Sequence, residues 1–404
     1  MADYDLLIVG AGISGLSMAQ YAAGAGLRAR VLEQERRVGG CLHSQRFSGA
    51  LDGFWLELGA HSCFNSYGNL LALLERAQVL GQLRPRARVG FRLFAEGAVR
   101  GIPGQLHVLE LLRAPWQLSR LRKAGLSVAE YYRAIVGPRN YAEVFGPAFD
   151  AVICQPAGDF PAESLFGKRA RRKDVPRGFT LPGGLQTIAD VLAAQPGIHI
   201  ERECAVRAIR REGALFVLGT DHGDYSARHV CLATPVAVTA TLLADAFPHL
   251  AGLLAEIATA TVETVAVAVS RAQVRLPPLA GLIGRDEAFF SVVSRDTVPD
   301  STYRGFTFHF RPGVLDEAGK LERISQVLGV PRMAFSADDV AFKRNLLPAL
   351  RVGHGARVER IDRALAGTGL ALAGNYFTGV AIEDCVTRAR LEFARLQQEQ
   401  GSGG

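Results

Sequence analysis

Asp5-Leu6-Leu7-Ile8-Val9-Gly10-Ala11-Gly12-Ile13-Ser14-Gly15 is the stretch that decides the fold. An unbroken apolar run reads as a buried strand, and the glycines behind it as a tight turn opening a helix. Gly10 permits the turn, Gly12 lets a pyrophosphate approach the backbone, and Gly15 lets helix and strand pack closely. The helix N-terminus, with Ile13 and Ser14 in its first turn, offers unpaired N–H groups to phosphate. A second strand, Ala29-Arg30-Val31-Leu32, ends at Glu33, 18 residues after Gly15. That spacing suits a carboxylate on a ribose hydroxyl and disfavours a 2′-phosphate. The expectation is a Rossmann-like α/β nucleotide unit that does not take NADP. Gly39-Gly40 follows closely, and a diglycine there points to a flavin.

The rest of the chain bounds the answer. Its 404 residues exceed one typical domain, and 49% hydrophobic content supports a large core. Six scattered cysteines give no metal-ligand spacing and no disulfide framework. The start, Met1-Ala2-Asp3-Tyr4-Asp5, lacks a basic, leader-like segment. No apolar run reaches the ~18 residues of a membrane span. A cytoplasmic protein is expected, with peripheral contact at the inner face of the membrane as an option through the Leu- and Arg-rich segment 106–122. The net charge of +7 is concentrated in Lys168-Arg169-Ala170-Arg171-Arg172-Lys173, with Arg177 nearby. No aromatic-interleaved motif accompanies that run, so nucleic acid is not an expected partner. A solvated loop, or attraction to anionic lipid or a carboxylate substrate, accounts for it.

Residues 80–180 read as largely helical, with Ser127 as N-cap and Glu130 completing a capping box. Strand signals return at 198–202, 215–218, 229–233, 261–270 and 304–310. A last short strand at 370–373 leads into a helix at 383–397. This order predicts a discontinuous cofactor domain of residues 1–78, 180–236 and 365–398. Residues 79–179 and 237–364 would make a mixed sheet-and-helix substrate domain, α+β overall, and 399–404 a flexible tail.

Several segments resemble, in order, the protoporphyrinogen oxidase branch of the flavin amine oxidase-like superfamily. These are Arg37-Val38-Gly39-Gly40-Cys41-Leu42-His43-Ser44, Leu56-Glu57-Leu58-Gly59, Gly158-Asp159-Phe160-Pro161, Gly183-Gly184-Leu185-Gln186-Thr187, Ala233-Thr234-Pro235, and Pro348 with Gly353-His354. The most specific is Ala373-Gly374-Asn375-Tyr376-Phe377-Thr378-Gly379-Val380-Ala381-Ile382-Glu383-Asp384-Cys385. The resemblance implies non-covalent FAD, with contacts at Gly10, Gly12, Ile13, Ser14, Gly15, Glu33, Gly39, Gly40, Val206, Gly374 and Val380. It also implies oxidation of a porphyrinogen by hydride transfer to the flavin, with oxygen, or a quinone, as acceptor.

No acid–base triad or metal constellation is evident, since the cofactor carries the chemistry. A large apolar pocket with cationic groups for propionates is expected. Arg92, Arg169, Arg172, Arg295 and Arg304 are the candidate cations, and His61 and His309 are further candidates to touch substrate. Two other readings stand beside this one: an amine or amino-acid oxidase or a desaturase for another apolar substrate, and a non-redox binding protein on an FAD fold.

Overall fold

Strand Tyr4–Val9 pairs in parallel with Ala29–Leu32 on one side and Gly223–Leu232 on the other, in a computed structural model that describes residues 2–402. Its apolar run is continuous because both faces are covered. Leu6 and Ile8 enter one core with the helix Ile13–Gly24, and Leu7 and Val9 enter a second beneath the other face. Ile200–Glu201 adds a parallel strand outside Ala29–Leu32. Leu370–Leu372 pairs in parallel with the end of Gly223–Leu232. Leu215–Thr220 and Val206–Glu212 continue the sheet antiparallel. One mixed sheet with a parallel, nucleotide-type core is thus assembled from both chain ends and the middle.

A second seven-stranded sheet runs in the order 340–348, 259–270, 303–310, 289–294, 281–284, 91–95, 98–100. On one face Val265, Val267, Phe306 and Phe308 pack under the helix Glu317–Leu328. The opposite face carries small residues, Ala266 and Ala268, against Phe54, Leu56 and Leu58. A Cβ at Gly305 would lie 2.1 Å from Leu56 Cδ2, so glycine there is what lets this face approach the loops behind the first sheet. That approach builds the site.

The capping box forms as the sequence predicts: Ser127 Oγ accepts from the Glu130 amide and Glu130 bonds back to Ser127 N. Other expectations are corrected. The stretch from residue 80 is not simply helical, since Phe91–Ala95 and Ala98–Arg100 are strands of the second sheet. The supposed tail from residue 399 begins inside a helix, Ile382–Ser402. There Glu399 accepts from the Gly367 amide and pairs with Arg395. Gly403 and Gly404 lie outside the described residues. The basic run is not a free loop throughout: Arg169 pairs with Asp384, and Arg172 with Glu75 and Asp174. Among the described residues no helix is long and apolar enough to cross a membrane.

Candidate functional site

The glycines of the first turn meet the diglycine. Gly12 and Gly39 form a parallel bridge, and the Gly39 amide donates to Ala11 O at 2.8 Å. Most of these glycines are demanded by the chain itself. A Cβ at Gly15 would lie 1.9 Å from Gly10 O, and one at Gly39 would lie 2.6 Å from Leu42 O with φ at +109°. Gly12 is different. Its backbone, φ −69° and ψ 176°, suits any residue, and a Cβ would meet only the Gly40 Cα at 4.0 Å. Folding does not require glycine there. A groove held open between Gly12 and Gly40, at a helix N-terminus, fits a pyrophosphate.

Glu33 is buried and accepts from the amides of Ala11 and Glu35 at 2.6 and 2.9 Å. Cys204 N donates to Glu33 O, which brings the start of Val206–Glu212 beside it. Gly10, Gly12, Ile13, Gly15, Glu33, Gly39, Gly40 and Val206 thus gather around one groove. The Ser14 hydroxyl turns inward to Cys385. Burial pushes the Cys385 thiol up to about 12, which leaves it a poor nucleophile and a poor candidate for a covalent flavin link. Gly374 and Val380 stand in the loop between Leu370–Leu372 and the final helix. His354, from the late Gly-His motif, fixes that loop by bonding the carbonyls of Tyr376 and Phe377 at 2.9 Å each. Glu383 ties it to the N-terminal region by accepting from Asn69 and Leu70 amides.

From the diglycine the chain leads directly into a cleft. Leu58 N donates to His43 O and Ala60 N to Cys41 O, so the segment from Glu57 runs antiparallel to Cys41–His43 and emerges at His61. The cleft holds about 30 Å³ of free space and is lined by Trp55, Glu57, His61, Arg86, Arg295 and Thr307 among others. That is room for about two water molecules, not the large apolar pocket expected. His61 and His309 stack at 6.3 Å. Burial holds both imidazoles neutral, near 3 and 4. His309 Nδ1 meets Thr264 Oγ1 at 3.3 Å, and Asn345 links Thr264 to the Leu58 carbonyl. His309 Nε2 is buried with no hydrogen-bond partner. Burial also raises the Glu57 carboxyl to about 7. Its oxygens accept from Ser44 Oγ at 2.7 Å and the Leu185 amide at 2.8 Å.

The candidate cations separate. Arg295 lines the cleft, but Arg92 does not. The strand Phe91–Ala95 buries its last three residues and leaves Arg92 exposed at its start, beside Gly101. Arg304 is spent on Asp296 and the carbonyls of Leu276 and Pro277. Arg169 and Arg172 are taken by their carboxylate partners. Two cations were missed. Arg86 reaches the cleft because Arg84–Pro85 pairs with Gly178–Thr180, a register no motif announces. Lys343, on the edge strand Val340–Pro348, donates to Gly40 O at 3.3 Å, and burial lowers it to about 8.

The neutral imidazoles give a pH prediction. Folded values near 3 and 4 lie below the unfolded value of 6.5. Between them the unfolded chain binds more protons. Their contribution is therefore intact above pH 6.5 and is lost as pH falls toward 4. Urea midpoints across this window should fall less steeply in His309→Asn than in the parent. Parallel slopes would show that His309 already carries its proton when folded.

Comparison with known proteins agrees with this geometry. The family model for flavin containing amine oxidoreductases matches residues 13–395. A Mycobacterium tuberculosis protein provisionally assigned as the flavin-containing monoamine oxidase AofH is 27% identical over 267 residues, 58% of this chain. The match spans 57% of that relative's length. Coproporphyrinogen III oxidase of Propionibacterium freudenreichii subsp. freudenreichii is 24% identical, with 95% of this chain and 89% of that one covered. A crystal structure from Exiguobacterium sp. 255-15, provisionally assigned as a protoporphyrinogen oxidase, superposes with a TM-score of 0.78 at 22% identity over 99% of this chain and 100% of the other. The open glycine groove, the paired chain ends and the match over nearly the whole length converge: the chain belongs to the flavin containing amine oxidoreductase family.

Proposed function

We propose that this enzyme oxidises a porphyrinogen, protoporphyrinogen IX or coproporphyrinogen III, to the porphyrin. One observation carries the reading over an amine substrate: the cleft beyond the diglycine presents two arginines and one neutral imidazole, His61, against which His309 stacks. Its one carboxylate, Glu57, is buried and already bonded to Ser44 and Leu185. An incoming ammonium would meet positive charge, while a carboxylate-bearing substrate would meet its complement. The relative named as a coproporphyrinogen oxidase, aligned over most of both chains, supports the same reading.

FAD, when bound, supplies a hydride acceptor, and three rounds with reoxidation by oxygen account for the six hydrogens lost. The protein's part is positioning and desolvation. Gly10, Gly12, Gly15, Gly39, Gly40 and Glu33 would hold the dinucleotide half, with Val206 beside the adenine and Gly374 and Val380 closing the site. His61 and His309, kept uncharged, add no repulsion against a substrate carbon that becomes cationic as it loses hydride. Aerobic incubation of the holoprotein with each porphyrinogen, followed by porphyrin fluorescence, is expected to exceed autoxidation by at least tenfold. A rate equal to autoxidation would remove this substrate class.

The helices Val108–Leu111 and Ala114–Arg120 support peripheral membrane contact as part of the same proposal. Leu109, Leu112 and Trp116 are exposed at 82%, 70% and 54%, with Arg113, Arg120 and Arg122 in the same segment. Contiguous apolar side chains rimmed by cations suit an anionic bilayer surface. Co-sedimentation with phosphatidylglycerol vesicles should drop at least fivefold in Leu109→Ser/Leu112→Ser. Unchanged sedimentation would assign the segment another role.

A further inference from the structure

We propose that the cleft beside His61 contains a subsite for a single carboxylate, with Arg295 as its anchor and Arg86 as its second donor. The inference rests on the reading of this cleft as the place where substrate enters, and it names the group on the substrate that is held there.

Arg295 is held in an unusual way. Its side chain is 11% exposed, and its guanidinium lies over the rings of Phe54 at 4.3 Å and Trp55 at 4.8 Å. Stacking of this kind fixes the plane of a guanidinium without using its N–H groups. Arg295 Nε and Nη1 are both buried without a hydrogen-bond partner. Buried arginine donors left unmade are costly. The nearest carboxylate, Asp300, is 3.8 Å from Nη1 and is occupied by the amides of Thr302 and Tyr303. Glu57 is occupied by Ser44 and Leu185, and no ion pair joins it to either arginine among the described residues. Contrast Arg304, nine residues on: it closes on Asp296 and two backbone carbonyls and has nothing left to offer. The fold therefore knows how to satisfy a buried arginine here, and at Arg295 it does not.

Arg86 supplies the second side of the subsite. Its donors meet only hydroxyls, Ser62 Oγ at 2.5 Å and Thr297 Oγ1 at 3.2 and 3.3 Å, so its charge has no bonded counter-ion. Two guanidiniums that line one cleft, Arg86 with no anionic partner among the described residues and Arg295 with only the 3.8 Å pair to Asp300, form a site for one planar anion. The free space of about 30 Å³ accommodates the carboxylate group itself, with the rest of the ligand at the open mouth of the cleft. Trp55, Leu56 and Val293 provide an apolar wall for that remainder. The class of ligand is thus a monocarboxylate attached to an apolar or aromatic body, the body extending toward His61.

Trp55 makes the subsite directly observable. The chain has two tryptophans, Trp55 and Trp116, so in a Trp116→Phe background the intrinsic emission reports on the ring beneath Arg295. Titration of that protein with benzoate is expected to give a saturable change in emission, and benzamide, the uncharged isostere, none. Arg295→Met keeps apolar contact with the rings but removes the donors, and should weaken benzoate at least tenfold. Arg86→Met should weaken it at least threefold, and Arg295→Lys should fall between parent and Arg295→Met. Equal responses to benzoate and benzamide in the parent would overturn the subsite without reference to any variant, and so would unaltered benzoate affinity in a folded Arg295→Met. The titration is independent of turnover. Benzoate binding with no porphyrinogen oxidation leaves the subsite standing and removes the porphyrinogen, and oxidation without benzoate binding does the reverse.

Discussion

Gly12→Val is expected to give a folded protein that purifies without flavin. The position is unusual among the glycines of the turn, because its backbone is open to any residue and its missing side chain faces free space before the Gly40 Cα. Valine therefore costs the apoprotein little. It fills the groove through which pyrophosphate must reach the helix N-terminus, and overpacking a close contact costs about 3 kcal/mol, roughly a hundredfold or more in affinity. Visible absorbance and flavin content per chain measure the loss, with thermal unfolding of the apoproteins as the control. Stoichiometric flavin in the variant would show that the dinucleotide lies elsewhere. Gly15→Ala makes the contrast. Its Cβ would lie 1.9 Å from Gly10 O, so that change should damage the fold as well as the cofactor site.

Arg304→Met is expected to be the most destabilising single change in the second sheet. Arg304 and Asp296 side chains are 4% and 6% exposed, and Asp296 also accepts from the Leu279 amide and pins the turn at Arg295–Thr297. Removing the cation leaves a buried carboxylate unpaired, which costs about 3–5 kcal/mol. Urea unfolding should show a lowered midpoint with an unchanged slope. Arg304→Met/Asp296→Leu should recover most of the loss, because a buried ion pair contributes little beyond its apolar replacement. A double variant as unstable as the single one would mean that the Asp296 bonds to the backbone, not the unpaired charge, carry the energy. Because this turn bears Arg295, the single variant should also loosen the cleft.

How far the sequence carried the reading depended on where local and long-range forces agreed. The first strand, the glycine turn and the Ser127 cap are short-range features whose side chains announce their partners, and all three formed where expected. The second sheet was only half legible. Gly281-Leu282-Ile283-Gly284 is not among the expected strands, yet it is a strand whose glycines let neighbouring backbone approach: a Cβ would lie 2.1 Å from Val292 O at Gly281 and 2.3 Å from Phe289 O at Gly284. Val340–Pro348 carries Lys343, Arg344 and Asn345 because it is an edge strand with one side unpaired. In the candidate site, His61, His309 and Arg295 were identified as residue types and the fold brings them together. Arg86 and Arg92 show the limit. Both are arginines in a motif-poor stretch, and only strand pairing, fixed by residues about ninety and two hundred positions away, sends one inward and the other to solvent.

The last strand, Leu370–Leu372, and the Glu383 clasp on Asn69 and Leu70 also set an order of events. A chain emerging from the ribosome makes its glycine turn first and its closing loop last, after more than three hundred further residues. Until then Gly12 and Gly40 form half a vessel, and the entropy of closing so long a loop must be met by the finished sheets. A chain truncated before Leu370 is therefore expected to retain no flavin, with flavin content per chain as the measure.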